Sequence, residues 1–530
     1  MRFGIGCVAV ALMAGMPISA ASAREPAVPA VTVTIEADHP GAKIDRHIFG
    51  QFAEHLGTGI YGGVWVGKDS PIPNVRGIRS DVVAALKAIK VPDVRWPGGC
   101  FADEYHWRNG VGPHRRSTVN ANWGGAIEPD TFGTDEYMDF LHQIGSEAYV
   151  SVNVGSGTLE EASDWMAYMT ADQRSSAGAD RAANGHAEPY TVNYVGLGNE
   201  SWGCGGNMRP QYYTDLLKRF ARFTRNYNPA QQGDTNPSAM QRIAVGPTDD
   251  DTSYTEGVME AWSKRDWSWS IEGLSLHSYT VPHWPPSLPS VGFGEDDYAS
   301  ILQTTLKMDA RIARHAAIMD KYDPDKKVAL VVDEWGVWLA ENPGSPKGFL
   351  QQQNSLRDAI VAALNFNIFA RHADRVRMAN IAQMINVLQS VILTDGPKML
   401  LTPTYYVHQM YLPFQDATFV PVKFDAGEYR HGAIVLPKVD AVAVKATDGK
   451  LYLSLVNLDP AAGATVRVTL PQGRFGKAAG QVLTAPNVNS VNTFDQPNTV
   501  APRPIAGKVA GGVMTIDLPA KSIAMIALER

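Results

Sequence analysis

The sequence predicts an α/β protein, a closed (β/α)8 TIM barrel with a C-terminal β-sandwich that also takes in an N-terminal strand. Three observations carry this. Eight short apolar runs alternate with helix-like segments between about residues 47 and 390, and near-continuous apolar strands alternating with helices signal a parallel sheet covered on both faces. No G-x-G-x-x-G follows the first run, which removes the main dinucleotide-binding reading of a doubly wound sheet. After about residue 413 the hydrophobic period drops to two, with Gly, Asp, Asn and Pro between the runs, as in a sandwich.

Residues 1–23 read as a segment apart from the fold. Arg2 gives a positive start, an apolar run spans Ile5 to Met13, and Ala21-Ser22-Ala23 has the small-x-small form of a signal-cleavage site. The run is short for a bilayer span, and no other stretch reaches about 18 apolar residues. The expectation is export, to the periplasm or beyond, after cleavage near Ala23. Residues 24–43 contain VTVTIEA, whose alternation predicts a strand joining the sandwich.

The barrel is expected over residues 44–412. Its strands are HIFGQF, PDVRWPG, EAYVSVNVG, NYVGLGNE, RIAVGP, IEGLSLHSY, KVALVVDEWG and MANIAQMINV, with helices such as SDVVAALKAI, DEYMDFLHQI, QYYTDLLKRFARFTRNY, LQTTLKMDARIARHAAIM and LRDAIVAALNFNIFARHA between them. Eight units over this length fit a barrel with insertions. The sandwich follows over 413–530 in FVPVKF, DAVAVKAT, KLYLSLVNL, ATVRVTL and VMTIDLPAKSIAMIAL, and PNVNSVNTFDQPNTVAPRP reads as a long loop.

Bulk properties narrow the function. The chain has 530 residues, 45% of them hydrophobic, and a formal net charge of −7. A mildly acidic chain without a basic block is a poor partner for nucleic acid or an anionic membrane. Oligomeric state stays open, a homo-oligomer included. Of three cysteines, Cys7 leaves with the signal segment, so Cys100 and Cys204 remain. Two cysteines are no disulfide scaffold. Spacing leaves open whether they pair or lie apart as small buried thiols.

Chemistry in such a barrel sits at the C-terminal strand ends. The fourth strand ends in Asn199-Glu200 and the seventh in Asp333-Glu334, each followed by Trp or Ser-Trp. An ionised carboxylate after a buried strand costs free energy unless it is paired, hydrogen-bonded or raised in pKa. The first strand ends near Glu54-His55, and the sixth carries His277 and Tyr279. No His/Cys set has zinc-like spacing, and no GxSxG or P-loop occurs. Two carboxyls across a barrel mouth suit glycoside hydrolysis, one protonating the leaving oxygen and the other meeting the anomeric carbon. Trp96, Trp107, Trp123, Trp202, Trp284 and Trp335 suit the apolar faces of sugars, although half of them are expected only to pack the core. His55 and His277 read as structural imidazoles outside the site.

These motifs resemble a known family. IDRHIFGQFAEHLG, VRWPGGCFADEYHWRNGVGP, NWGGAIEPDTFGTDEYMDF, VGLGNESWGCGGNMRPQYY, SLHSYT, VDEWGVW and IAQMINVLQS, in order over residues 44–390, resemble glycoside hydrolase family 51, the α-L-arabinofuranosidases. The resemblance implies a barrel plus sandwich and a retaining mechanism, with Glu200 as acid/base and Glu334 as nucleophile. It implies that Glu54, Arg95, Asn199, Tyr279 and Gln383 hold the arabinose hydroxyls or orient the nucleophile. The rival reading of Arg95 and Gln383 is scaffolding of the barrel mouth, and that of Tyr279 is a phenol bonded to a loop. Cys100 departs from the PGGN form seen in part of the family, and since a thiol is a weak hydrogen-bonder beside an amide, no sugar contact is carried over to that position. The expected substrates are arabinoxylan, arabinan or their oligosaccharides, with no cofactor or metal. A β-xylosidase, an endo-glucanase and a barrel that binds sugar without catalysis are the rivals.

Overall fold

The computed structural model describes residues 1, 3–4, 31–233, 235–471 and 475–529. The expected signal segment therefore lies, apart from three residues, outside the described residues. Among those described, no helix is long and apolar enough to cross a membrane.

All eight expected barrel strands form, and they close into one parallel barrel: Gly50–Phe52, Asp93–Trp96, Glu147–Val152, Tyr194–Leu197, Gln241–Ala244, Gly273–Thr280, Ala329–Val337 and Val376–Ile381. Neighbours pair in chain order, as in Val150 opposite Val195 and Val331 opposite Met378, and the eighth strand returns to the first at Asn380–Gly50. Closure explains the unbroken apolar runs, because each strand is packed inside by the barrel core and outside by helices. Tyr149, Tyr194, Ile243, Ala329, Val331 and Met378 fill the interior below the mouth.

The helices keep their apolar side on the barrel. Pro210–Phe223 starts with proline at its first turn and buries Tyr213, Leu217, Phe220 and Ala221, the spacing of one helical face. The expected helix LQTTLKMDARIARHAAIM instead divides into Glu295–Thr305 and Lys307–Tyr322. At the break Thr304 and Thr305 donate their hydroxyls to the carbonyls of Ser300 and Ile301 at 2.9 Å, a back-bonding that bends helices.

Eight short strands pair as four two-stranded ribbons, and ten further strands form one sheet that folds over a second core. Val31–Ile35 sits within it, parallel to Ala464–Thr469 and antiparallel to Val422–Asp425. The alternating burial of Val31, Val33 and Ile35 is the cause. Two strands escape the period-two reading, Lys477–Leu483 and Arg503–Ala510, the latter starting inside the expected long loop. Their Ala, Gly and Pro content hides the pattern. The helix Leu356–Arg371 is the seam between the two parts: Asn367 and Arg371 donate to the buried Asp440 of the sandwich at 2.7 and 3.0 Å.

Candidate active site

The strand Ala329–Val337 is buried along its whole length, yet carries Asp333 and Glu334. Strict alternation would send one of them outward. A register shift between Val332 and Trp335 intervenes, and both acids meet the same cations. Arg95, from the second strand, donates through Nη1 to Glu334 Oε1 at 2.7 Å and through Nη2 to Asn199 Oδ1 at 2.6 Å. Its guanidinium lies over the Phe52 ring, 4.7 Å from the centroid. Tyr279 OH donates to Glu334 Oε2 at 2.8 Å. Asp333, one layer deeper, accepts from Tyr149 OH at 2.7 Å and stands 3.5 Å from Arg95 Nε.

Glu200 lies on the opposite wall. The fourth strand ends at Leu197, and Asp103 Oδ2 accepts the Asn199 backbone N–H at 2.9 Å. Glu200 has φ 38°, a left-handed conformation that non-glycine residues keep only where the surroundings impose it. The glycine loop supplies that constraint. The N–H groups of Gly203 and Gly205 both return to the Glu200 carbonyl, at 2.7 and 3.1 Å. A Cβ on Gly205 would stand 1.9 Å from the Asn199 carbonyl oxygen, so only glycine closes this turn. Glu200 Oε1 faces His277 Nδ1 at 2.8 Å, and His277 Nδ1 lies 3.4 Å from Glu334 Oε2. One oxygen of Glu200 and one of Glu334 come within 4.8 Å of each other.

A cavity of about 430 Å³ opens above both glutamates, walled by Trp123, Trp202, Trp284 and Trp338. Glu54 closes its far side. It accepts from the Phe101 N–H at 3.0 Å, Trp123 Nε1 at 2.9 Å and Gln383 Nε2 at 3.0 Å.

Burial and charge set the titration of these groups apart. Burial raises the Glu200 carboxyl, and repulsion from Glu334 adds to this against the pull of His277. Burial also raises Glu54, to about 8, despite its three donors. For His277, burial acts downward but Glu334, Asp333 and Glu200 outweigh it, and the imidazole rises to about 10. Asp333 goes the other way: Arg95, His277 and Tyr149 overcome burial and hold it low. Glu200, His277 and Glu334 converge closely enough to suggest a cation site. As imidazolium, however, His277 has no lone pair to give, and both its nitrogens already face carboxylates. His277 Nδ1 thus bridges the two carboxyls.

Comparison with known proteins gives this geometry a context. The sequence profile described as "Alpha-L-arabinofuranosidase 1 domain" matches residues 85–284, and "Alpha-L-arabinofuranosidase C-terminal domain" matches 333–522. The chain is 45% identical over 527 residues, 98% of its length and 99% of the relative's, to "Intracellular exo-alpha-L-arabinofuranosidase" from Bacteroides ovatus. The chain belongs to glycoside hydrolase family 51. The crystal structure of the family 51 arabinofuranosidase from Xanthomonas axonopodis pv. citri is 54% identical, with a TM-score of 0.91 over 94% of this chain and all of that one. That of the Thermotoga maritima α-L-arabinofuranosidase arabinose complex is 29% identical, with a TM-score of 0.81 over the same shares. The fold expected from the family resemblance is therefore present. The match beginning at 333 starts inside the seventh barrel strand, so it takes in the end of that strand and the eighth as well as much of the sandwich.

Every site residue expected in this family 51 chain lies at one mouth. Glu54, Glu200, Tyr279, Glu334 and Gln383 line the cavity, and Arg95 and Asn199 sit directly beneath it. His277 needs correction. The sequence reading placed it outside the site, whereas it contacts both glutamates. The signal lay in the strand pairing, which sets His277 opposite Glu334. His55 is indeed a core imidazole, accepting Trp96 Nε1 at 3.2 Å. Of the six tryptophans, Trp96, Trp107 and Trp335 are buried, while Trp123, Trp202 and Trp284 reach the cavity. Trp338 is an addition that only the three-dimensional arrangement reveals, and Asp333, seen in the sequence at the strand end, takes its place beneath the site beside Arg95 and His277. Cys100 and Cys204 are bonded to each other beside Glu200.

Proposed function

We propose that the protein is a retaining α-L-arabinofuranosidase that removes terminal non-reducing arabinofuranosyl residues from arabinoxylan, arabinan or derived oligosaccharides. The observation that carries this reading is the pairing of two carboxyls across one small cavity, with oxygens within 4.8 Å of each other. Retaining enzymes hold their carboxyl groups about 5–5.5 Å apart, whereas inverting ones leave room for water at about 6.5–9.5 Å. Glu334 receives donors on both oxygens, from Arg95 and Tyr279, as a nucleophilic carboxylate requires. Glu200 is raised and reaches the same space, as a general acid requires.

In this scheme Glu334 attacks the anomeric carbon while Glu200 gives its proton to the departing oxygen. Glu200 then removes a proton from the water that releases the sugar from Glu334. Glu54, Gln383 and Asn199 supply polar edges for the sugar hydroxyls, and the tryptophans cover its apolar face and that of its carrier. The export expectation rests on residues 1–23, and the Bacteroides ovatus relative is named intracellular. N-terminal sequencing of protein recovered from cell fractions decides between the two. The enzymatic reading is tested with a slow 2-fluorinated arabinofuranoside: the expected result is a covalent label on Glu334 and retained anomeric configuration in the product. A label elsewhere, or an inverted product, overturns it.

A further inference from the structure

The Cys100–Cys204 bridge joins two of the loops that make the barrel mouth. Cys100 opens the 3₁₀ turn Cys100–Asp103 after the second strand, and it lines the cavity. Cys204 belongs to the loop that carries Glu200. Its Sγ lies 3.5 Å from Glu200 Oε2, while His277 faces the other oxygen at 2.8 Å. The carboxyl is thus held between an imidazole and a sulfur. A disulfide sulfur has no proton to donate, so it bounds this oxygen without satisfying it and leaves it free to hold a proton.

Asn199 and Glu200 both touch Cys204, but Asn199 has further ties of its own. It is anchored through its backbone N–H to Asp103 and through its side-chain oxygen to Arg95, and its Nδ2 donates to Cys204 Sγ at 3.7 Å. Beyond it, Trp202 Nε1 donates to the Gly246 carbonyl at 3.1 Å and Tyr254 OH to that of Met208 at 2.6 Å, holding the far side of the loop. The near side, where Glu200 keeps its left-handed backbone, is joined to the second-strand loop through Cys204.

We propose that the Cys100–Cys204 bridge is a positioning element for Glu200, and that opening it withdraws proton transfer while leaving sugar binding and Glu334 in place. This rests on the acid/base reading of Glu200. Opening takes two electrons and two protons from one dithiol, which leaves as its cyclic disulfide while both cysteines become thiols. The loop can then relax around Glu200. A displacement near 1 Å at a reacting group costs up to about 10² in rate.

The test compares the bridged enzyme, the dithiothreitol-reduced enzyme and the C100A/C204A double variant, with thiol titration and melting curves on each. The substrates are an arabinoxylan oligosaccharide and aryl arabinofuranosides of graded leaving-group acidity. Opening the bridge should lower kcat/KM about 10- to 100-fold on the oligosaccharide, and much less on a dinitrophenyl arabinofuranoside. Inhibition by arabinose should keep its constant, azide should accelerate turnover, and reoxidation should restore the reduced enzyme. Equal losses on all leaving groups, no loss at all, or unfolding of both open forms at the assay temperature would each overturn the proposal and leave the bridge a fold-stabilising link. Glu200→Ala in the bridged enzyme separates the two readings. If it lacks leaving-group dependence, the acid/base reading and this proposal fall together. If it shows that dependence and the open forms do not, only this proposal falls.

Discussion

Arg95 donates to Glu334 at 2.7 Å from the neighbouring interior of the barrel, and both side chains are buried. The pair is held in place by its surroundings, since Arg95 also carries Asn199 on its other nitrogen. A lysine would keep the charge but lose the planar fork that serves both partners. Arg95→Lys should therefore reduce kcat by about 10²–10³, on aryl and natural substrates alike. Steady-state kinetics on both checks this, and a loss confined to natural substrates would assign Arg95 to the leaving group.

The two glutamates should separate by leaving group. General acid help is worth about 10²–10⁴ in rate, but only where the departing oxygen needs a proton. Glu200→Ala should be crippled on arabinoxylan and should still form the glycosyl-enzyme from a nitrophenyl arabinofuranoside. The intermediate should accumulate, and azide should release it with retained configuration. Glu334→Ala should show no such dependence. Burst kinetics with and without azide decide the matter.

His277 faces both glutamates as an imidazolium. It stabilises the charged form of Glu200, so its removal should raise that carboxyl further. The alkaline limb of the activity profile, set by loss of the Glu200 proton, should move to higher pH in His277→Gln. A kcat/KM profile against pH measures that limb, and an unmoved limb would make His277 a packing residue.

Glu54 links the site to stability. Its ordinary value is 4.5 and burial raises it to about 8 in the fold, so the native state keeps a proton that the unfolded chain releases. That contribution is fully present below pH 4.5 and is lost as pH rises through 8. The total is at most on the order of a few kcal/mol. Glu54→Gln cannot ionise, and Gln383, whose Oε1 has no partner, can turn to accept its amide. Melting temperatures between pH 5 and pH 9 should therefore fall less steeply in the variant than in the parent.

Several features were legible in the residues because they depend on local pattern. Eight apolar runs at barrel spacing, a period-two C-terminal part, and acidic pairs after apolar strands need no partner to be seen. The sandwich strands Lys477–Leu483 and Arg503–Ala510 were not legible, because alanine, glycine and proline contribute little hydrophobic contrast and their pairing is decided by neighbours across the sheet. The split of the long helix at Leu306 was hidden too, since threonine hydroxyls bend a helix only when they turn back onto it.

At the site, the sequence by itself determined which strand ends carry Glu54, Glu200 and Glu334, because a carboxylate after an apolar run stands out against the cost of burying it. Tertiary structure alone decided how each behaves. The register of the sixth strand on the seventh brought His277 opposite Glu334 and made a seemingly structural histidine the charge between two acids. Closure of the barrel brought Cys100 and Cys204, 104 residues apart, into one bond against Glu200. Titration and reactivity depend on distance and dielectric, and both are fixed only when strands far apart in the chain close around one cavity.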